Sequence, residues 1–309
     1  MTPATASPAP GLVPEAPVDF PRPLKGSSTQ HLLTTMLGDF WQNTDEWIPA
    51  KLITALAAPL GVSPSACATG LSRLASRGVL EQSSAGRTSR YRFTRRARAR
   101  LRIGFEQVRL FGSQSNAWDG AWTVIAFSVP ESSREIRDMF RSRLRWRGFA
   151  PLYGALWVSP RDHVEELEEN CASFGVEDYV IFRTADQTLR GKNLITAWSP
   201  EELAEQYAPF IESYSPWVEK VEAGLVTDAE AFRVRTMAMD AWRAFPWNDP
   251  DLPAELLPEK WPLAEARKIF VRVYDGLAAS ALAHVDAILA DAAPSLGGSA
   301  SCIPIESGR

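Results

Sequence analysis

The sequence predicts an α+β fold, and three observations carry that prediction. Apolar residues recur at three and four residue intervals from Thr29 to about Arg77, the pattern changes at Ala121 to short β-rich runs, and helical spacing returns from Ser199. At 309 residues the chain has room for two or three domains, each burying its own core.

Charge divides along the same lines. The formal net charge is -4, yet residues 1–109 hold fourteen Lys or Arg against seven Asp or Glu, and residues 110–309 hold nineteen against thirty. A basic N-terminal unit is joined to an acidic remainder. With 45% hydrophobic and 23% charged residues the composition is that of an ordinary globular protein. No apolar run approaches the roughly 18 residues of a spanning helix, and the N-terminus lacks a signal-peptide pattern, so the expected address is cytoplasmic, with no membrane partner. Cys67, Cys171 and Cys302 lie far apart, as do His31, His163 and His284. Neither a disulfide framework nor a metal site is expected.

Residues 1–26, rich in Pro and Ala, read as a disordered leader, because so few large apolar groups cannot offset the entropy of ordering. The first domain is expected over 27–112. Leu32, Leu33, Met36, Leu37, Phe40 and Trp41 mark a first helix, and a second opens at Pro49 and buries Leu52, Ile53 and Leu56. Ser63 and Pro64 start a third, which Gly78 stops. VLEQSS and SRYRF then read as two strands turning at Gly86. Three helices followed by a hairpin make a winged helix-turn-helix.

The third helix presents Ser65, Thr69, Ser72 and Arg73 outward, with Arg77 at its end. A small, polar, basic face of this kind fits a DNA major groove, where Arg bonds guanine edges and Ser or Thr bonds bases or phosphates. Residues 89–102, SRYRFTRRARARLR, hold seven arginines and no carboxylate. Arg87, Arg90 and Arg92 fall on or beside the wing, and Arg95 and Arg96 open a linking helix near Thr94. Phosphates are the matching partner. Arg98, Arg100 and Arg102 point around that helix in different directions and equally suit a solvated face.

A central domain is expected over 118–190. AWTVIAFSV reads as a buried strand, Ser132 and Glu135 as a capping box for a helix burying Ile136, Phe140 and Leu144, and FAPLY with ALWVS as a hairpin. A helix over 163–173 and the strand DYVIFR complete a βαββαβ order, the ferredoxin-like arrangement. A helical C-terminal domain is expected over 198–293, with Ser199–Pro200 starting one helix, Thr227 and Glu230 boxing another, and a long helix from Leu263 to about Ala290. Residues 294–309 read as a disordered tail.

These segments together resemble the PaaX family of bacterial transcriptional repressors, named for control of phenylacetate degradation. The resemblance spans residues 28–290 and rests on SPSACATGLSRLASRGVLEQSSAGRTSRYRFT, FRSRLRWRGFAPLYGALWVSP and FPWNDPDLPAELLPEKWP. It implies a homodimeric repressor that binds double-stranded DNA at an inverted-repeat operator and is released by a small-molecule effector, an aromatic acyl-CoA such as phenylacetyl-CoA. It also implies a centre similar to a small CRISPR-associated nuclease. Those nucleases carry a metal-binding Asp at the end of the first strand; this chain has Ser128 there.

Two aromatic clusters are candidates for the effector. Arg141, Arg143, Arg145 and Arg147 surround Trp146, a composition suited to a CoA phosphate and a stacked ring, but equally to salt bridges at a helix end or a second DNA contact. Trp242, Trp247 and Trp261 flank the Pro-rich stretch as a packed clamp or the wall of an aromatic pocket.

The competing readings are a metal-dependent nuclease, a CoA-ester hydrolase and a constitutive DNA-binding protein. Against an enzyme stand the lack of a G-x-S-x-G elbow and of paired carboxylates on the first strand. No catalytic residue is assigned, no cofactor is expected, and the run Glu165, Glu166, Glu168 and Glu169 reads as a solvated face.

Overall fold

A computed structural model describes residues 28–85, 88–113, 117–189 and 191–306. The expected leader 1–26 and Arg87 lie outside these residues, as does the side chain of Trp247.

The N-terminal head comprises α1 (Thr29–Trp41), β1 (Ile48–Pro49), α2 (Ala50–Ala57), α3 (Pro64–Ser76), β2 (Leu80–Ala85), β3 (Thr88–Phe93) and α4 (Arg95–Leu110). Side-chain caps set the starts: Ser28 accepts from the His31 N–H at 3.2 Å, and Ser63 from the Ala66 N–H at 3.3 Å, with Pro64 at the first helical position. Gly78 ends α3 with φ of 69°, a conformation that costs a residue with a Cβ. Pro49, expected to open the second helix, is the N-cap of α2 and also ends β1, a short strand the sequence did not announce, which pairs with β3. The sheet order is β1-β3-β2.

The centre runs β4 (Trp122–Ser128), α5 (Arg134–Trp146), β5 (Ala150–Tyr153), β6 (Leu156–Ser159), α6 (Val164–Phe174) and β7 (Asp178–Thr184), in an antiparallel sheet ordered β5-β6-β4-β7. Period-two alternation sorts its side chains onto two faces. Ile125, Phe127 and Ile181 pack on Phe140 and Leu144 of α5 and Leu167 of α6, while Trp122, Val124 and Val158 pack beneath Leu194 and Trp198 on the other side. The expected Ser132–Glu135 capping box does not form, because residues 131–133 make a 3-10 turn and Ser133 gives no side-chain cap. A two-residue hairpin follows, β8 (Thr188–Leu189) with β9 (Lys192–Asn193).

The C-terminal domain contains α7 (Pro200–Glu205), α8 (Ala208–Glu222), α9 (Asp228–Trp242), α10 (Phe245–Asn248), α11 (Leu263–Gly276) and α12 (Ala278–Ala292). Thr227 and Glu230 form the capping box expected of α9. The single helix expected from Leu263 is two, bent by 41° at the break between Gly276 and Ala278. Gly276 also brings α8 close: a Cβ there would stand 2.5 Å from Val221 Cγ1. No single described helix is long and apolar enough to cross a membrane.

Head and C-terminal domain share one hydrophobic core. Leu33, Met36 and Phe40 of α1, Leu52 and Leu56 of α2, Phe232 and Trp242 of α9, Phe270 of α11 and Val285 of α12 belong to the same buried cluster. Packed between α3 and α9, α1 is buried on nearly every side. The cores of the central domain are separate from this one.

Polar groups are sealed into the shared core. The Arg235 guanidinium lies 3.2 Å from Asp39 Oδ1, both side chains 0% exposed, and it also donates to the carbonyls of Tyr274 and, at 3.3 Å, Ile303. The Tyr274 hydroxyl donates to the same Asp39 oxygen. Burial works against the charge on Arg235, but Asp39, Tyr274 and Cys302 together more than compensate and hold the guanidinium above its ordinary pKa. One turn before Asp39 on α1, Thr35 donates to Asp240 of α9 at 2.7 Å, and Asp240 also lies 2.7 Å from His31 Nδ1.

The C-terminus differs from expectation. Residues 294–306, read as a disordered tail, pack on the body: Ile305 is 1% exposed, its N–H donates to Asp275 at 2.8 Å, and the Ser301 N–H donates to the Phe40 carbonyl at 3.0 Å. A few apolar anchors and satisfied backbone donors order the segment despite its small-residue composition.

Replacing Asp39 with Ala strands the buried Arg235 charge. The expected loss is about 3–5 kcal/mol of folding stability, read by denaturant melting, and Asp39→Leu with Arg235→Met recovers much of it.

Candidate nucleic-acid interface

The outer face of α3 is built by what its inner face buries. Cys67, Gly70, Leu71 and Leu74 turn into the core, which leaves Ser65, Thr69, Ser72, Arg73, Ser76 and, at the C-cap, Arg77 exposed on one side. Gly70 sets how closely α3 approaches α1, since a Cβ there would lie 2.8 Å from Leu33 Cδ1 and 3.2 Å from Thr29 Cγ2. Burial pushes the Cys67 thiol above its ordinary pKa, against a weaker opposing bond from Thr54. It is a packing residue.

Thr94 joins three parts of this surface. Its hydroxyl donates to the Gly78 carbonyl at 2.8 Å, just past α3, and accepts from the Ala97 N–H at 3.1 Å, capping α4. Arg95 and Arg96, the next two residues, are thereby held exposed beside the end of α3 and the base of the hairpin. The four first-turn N–H groups of α4 add positive potential at the same place.

The arginines do not act alike. Arg92 donates from Nε to Glu81 at 2.8 Å and lies over the Trp47 ring at 4.4 Å, with Arg90 over the same ring at 5.7 Å. Arg98 pairs with Asp45 and donates to the Thr44 carbonyl at 3.0 Å, so it fastens α4 to the loop after α1. Arg100 and Arg102 are exposed on α4. Sequence reasoning missed Trp47. Its signal was the short β-like run WIP ahead of α2, whose pairing with β3 brings the ring under Arg90 and Arg92.

The residues proposed for an effector fall in separate places. Arg143 and Arg147 lie over the Trp146 ring at 5.1 and 4.8 Å and both reach Glu166, which also faces His163. Burial lowers the His163 pKa, and Glu166 opposes that shift. Arg145 lies over Trp157 at 5.2 Å, and Arg141 donates to the Gly154 carbonyl at 3.0 Å. Trp146 itself remains 46% exposed. Trp242, by contrast, is 0% exposed and stacked on Phe270, while Trp261 packs edge-on to Tyr207 at 6.3 Å. The arginine tract and Trp242 thus belong to different cores, and the packed-clamp reading fits Trp242. Ser128 is exposed at the end of β4, opposite Asp178, and no group of three or more potential metal ligands occurs among the described residues.

Comparison with known proteins covers nearly the whole chain. Three family models match in succession: one described as PaaX-like protein over residues 28–97, one as the PaaX protein central Cas2-like domain over 115–195, and one as the PaaX-like protein C-terminal domain over 198–287. The transcriptional repressor PaaX of Escherichia coli (strain K12) is 29% identical over 279 residues, which cover 85% of this chain and 84% of the repressor. Among solved structures, the uncharacterized protein Rv0674 from Mycobacterium tuberculosis shares the fold, with a TM-score of 0.54 and 23% identity over 85% of this chain and 98% of that one.

A Gly70→Val exchange wedges a branched side chain between α1 and α3. It is expected to cost about 1–3 kcal/mol, seen as a lowered melting temperature.

Proposed function

The chain belongs to the PaaX family of transcriptional regulators, which are not enzymes, and on that premise we propose that it represses transcription by reading an operator with a winged helix-turn-helix head. The observation that carries this reading is the exposed α3 face of Ser65, Thr69, Ser72 and Arg73, with Arg95 and Arg96 held beside it by the Thr94 bridge. In this arrangement α3 lies in the major groove and chooses sequence, and the first turn of α4 neutralises phosphates. Arg77, Arg90 and Arg92 flank the same contact, and Arg92 also holds Trp47 in place. A homodimer presents two such heads to the two halves of an inverted repeat, as matching two-fold symmetries require.

The centre, with its βαββαβ order and β5-β6-β4-β7 sheet, fits a ferredoxin-like fold in which Ser128 replaces the metal-binding Asp of nuclease relatives. The effector is an aromatic acyl-CoA such as phenylacetyl-CoA, and it acts in the cytoplasm by favouring the state that does not hold DNA. Among the candidate residues, exposed Trp146 with Arg145 offers it a ring to stack on and a cation for phosphate.

Two measurements test the reading. Fluorescence anisotropy on the DNA upstream of its own coding sequence should show binding that weakens steeply with salt. Arg73→Ala should lower discrimination among operator variants by about 1–3 kcal/mol, whereas Arg95→Ala should weaken every duplex alike and reduce the salt slope by about one. Calorimetry with phenylacetyl-CoA, using free phenylacetate as control, tests the effector. Trp146→Ala and Arg145→Ala should blunt the response and leave DNA affinity nearly intact; equal loss of both removes the assignment.

A further inference from the structure

The body and the central domain meet where three segments converge. These are the C-terminal end of α4, the turn after β6, and residues 249–257 of the Pro-rich stretch. The Arg161 guanidinium, from the turn after β6, donates to the Asp251 carbonyl. The Gly112 backbone, just past α4, lies close enough to the Asp251 carboxylate to favour its charged form. Asp249 accepts from the Asp251 N–H at 2.8 Å and from the buried Tyr207 hydroxyl at 2.6 Å, which ties the stretch to the C-terminal helices. Glu255 accepts from the Trp118 N–H at 3.3 Å, and Leu256 packs with Trp118 and Trp198 on the central sheet. Arg267 of α11 donates to the Phe111 carbonyl at 3.2 Å, so the end of α4 is held from the other side as well.

Two features mark this junction as a device rather than filler. Asp251 has φ of 55°, a left-handed conformation uncommon outside glycine but tolerated by Asp and Asn, and it fixes the turn of the stretch at this point. Gly112, with φ of 67°, occupies the one short connection leading from the head into the centre. Head and C-terminal helices share a core that continues through α1, whereas the central domain keeps its own cores and meets the body through these polar clasps and the packing of Leu256.

We propose that residues 249–257 are a latch that fixes the central domain on a rigid body formed by the head and the C-terminal helices, and that release of the latch lets the central domain turn about Gly112. The mechanics stand apart from the DNA-reading role; their regulatory use rests on it. Bound effector on the centre and DNA on the head would then be linked through the latch, each altering the other's affinity by the same factor.

Proton binding tunes the latch with a definite sign. Burial, and then the neighbouring Asp249 charge, push the Asp251 carboxyl up to about 6, against the pull of Arg161, the Gly112 backbone and Arg267. Burial also raises Asp249, opposed by the Tyr207 hydroxyl and the Asp251 N–H. In a released loop both carboxyls return toward the ordinary range near 4. The latched state therefore holds its proton more firmly. It is favoured most at acidic pH, and it weakens as the pH rises through about 6.

Electron-spin distance measurements on the full chain, in a Cys302→Ser background, test the proposal. One label pair spans centre and body at two exposed positions, Glu168→Cys and Glu212→Cys; the control pair spans head and C-terminal helices at Lys51→Cys and Glu212→Cys. Adding Arg161→Ala should at least double the width of the centre-to-body distribution and leave the control pair unchanged. An unchanged centre-to-body width, or equal broadening of both pairs, overturns the latch. Asp251→Asn, whose side chain tolerates the left-handed backbone, guards against a folding defect. Between pH 5.5 and 8.0 the centre-to-body distribution should widen with Asp251 intact and widen less with Asp251→Asn, where Asp249 alone of the pair remains to titrate; an identical pH response in both rejects the proton-tuned latch. Should the reference protein bind no operator while the distances behave as expected, the DNA-reading assignment fails and the latch stands.

Discussion

The fold depends on one sealed ion pair. Asp39 of α1 and Arg235 of α9 are both fully buried, and removing two charges from water costs several kcal/mol per ion unless geometry and further hydrogen bonds repay it. Arg235 meets that condition with carbonyls of Tyr274 and Ile303 besides the carboxylate. Asp39 meets it less completely, since Oδ2 has no hydrogen-bond partner among the described residues. An unpaired Arg235 in this core would be far costlier, so α1 has one acceptable position against α9. The head is fixed to the C-terminal helices by that constraint, and the tail through Ile303 is drawn into the same network.

A fixed head changes how its arginines are understood. Phosphate binding needs charge that is solvent-facing and cheap to reorganise, whereas Arg92 and Arg98 are committed to Glu81, Trp47 and Asp45. Those two hold the wing and the loop after α1 in place. Arg73 and Arg95 remain exposed, and their spacing is set by Thr94 rather than by their own contacts. One composition thus serves two ends: some arginines shape the surface, and others present it.

The sequence made local features legible and distant ones not. The caps at Ser63 and Thr227, the α3 face and the central βαββαβ order follow from spacing and side-chain chemistry within a few residues, and each appears in the structure. The Asp39–Arg235 pair joins residues 196 apart, and no local pattern announces it. The same holds for β1, a two-residue strand defined only by its partner, and for residues 294–306, whose order comes from Asp275 and Phe40 rather than from their own composition. Around the arginine tract of α5, composition alone suits a ligand, salt bridges at a helix end or a second DNA contact. Glu166 supplies the salt bridges, and the exposure of Trp146 keeps the ligand reading open.

The division of cores bears on how such a regulator can respond. When a reading head is tethered by a flexible linker, a signal must reach it by freezing or freeing that linker. Here the head is continuous with the C-terminal helices, so reorienting it alone would expose the shared apolar core and strand Arg235, at a cost comparable to unfolding. The junction through Asp249, Asp251 and Arg161 is largely polar, with Leu252 buried and Leu256 packed on the central sheet, so opening it exposes far less apolar surface than parting the shared core. A ligand that favours one arrangement by a few kcal/mol can shift a two-state equilibrium of that size, and it cannot shift the other. With the proposed latch, movement in this fold is confined to the angle between the centre and the body, and a DNA-reading head would change its approach only by moving with the body as a whole.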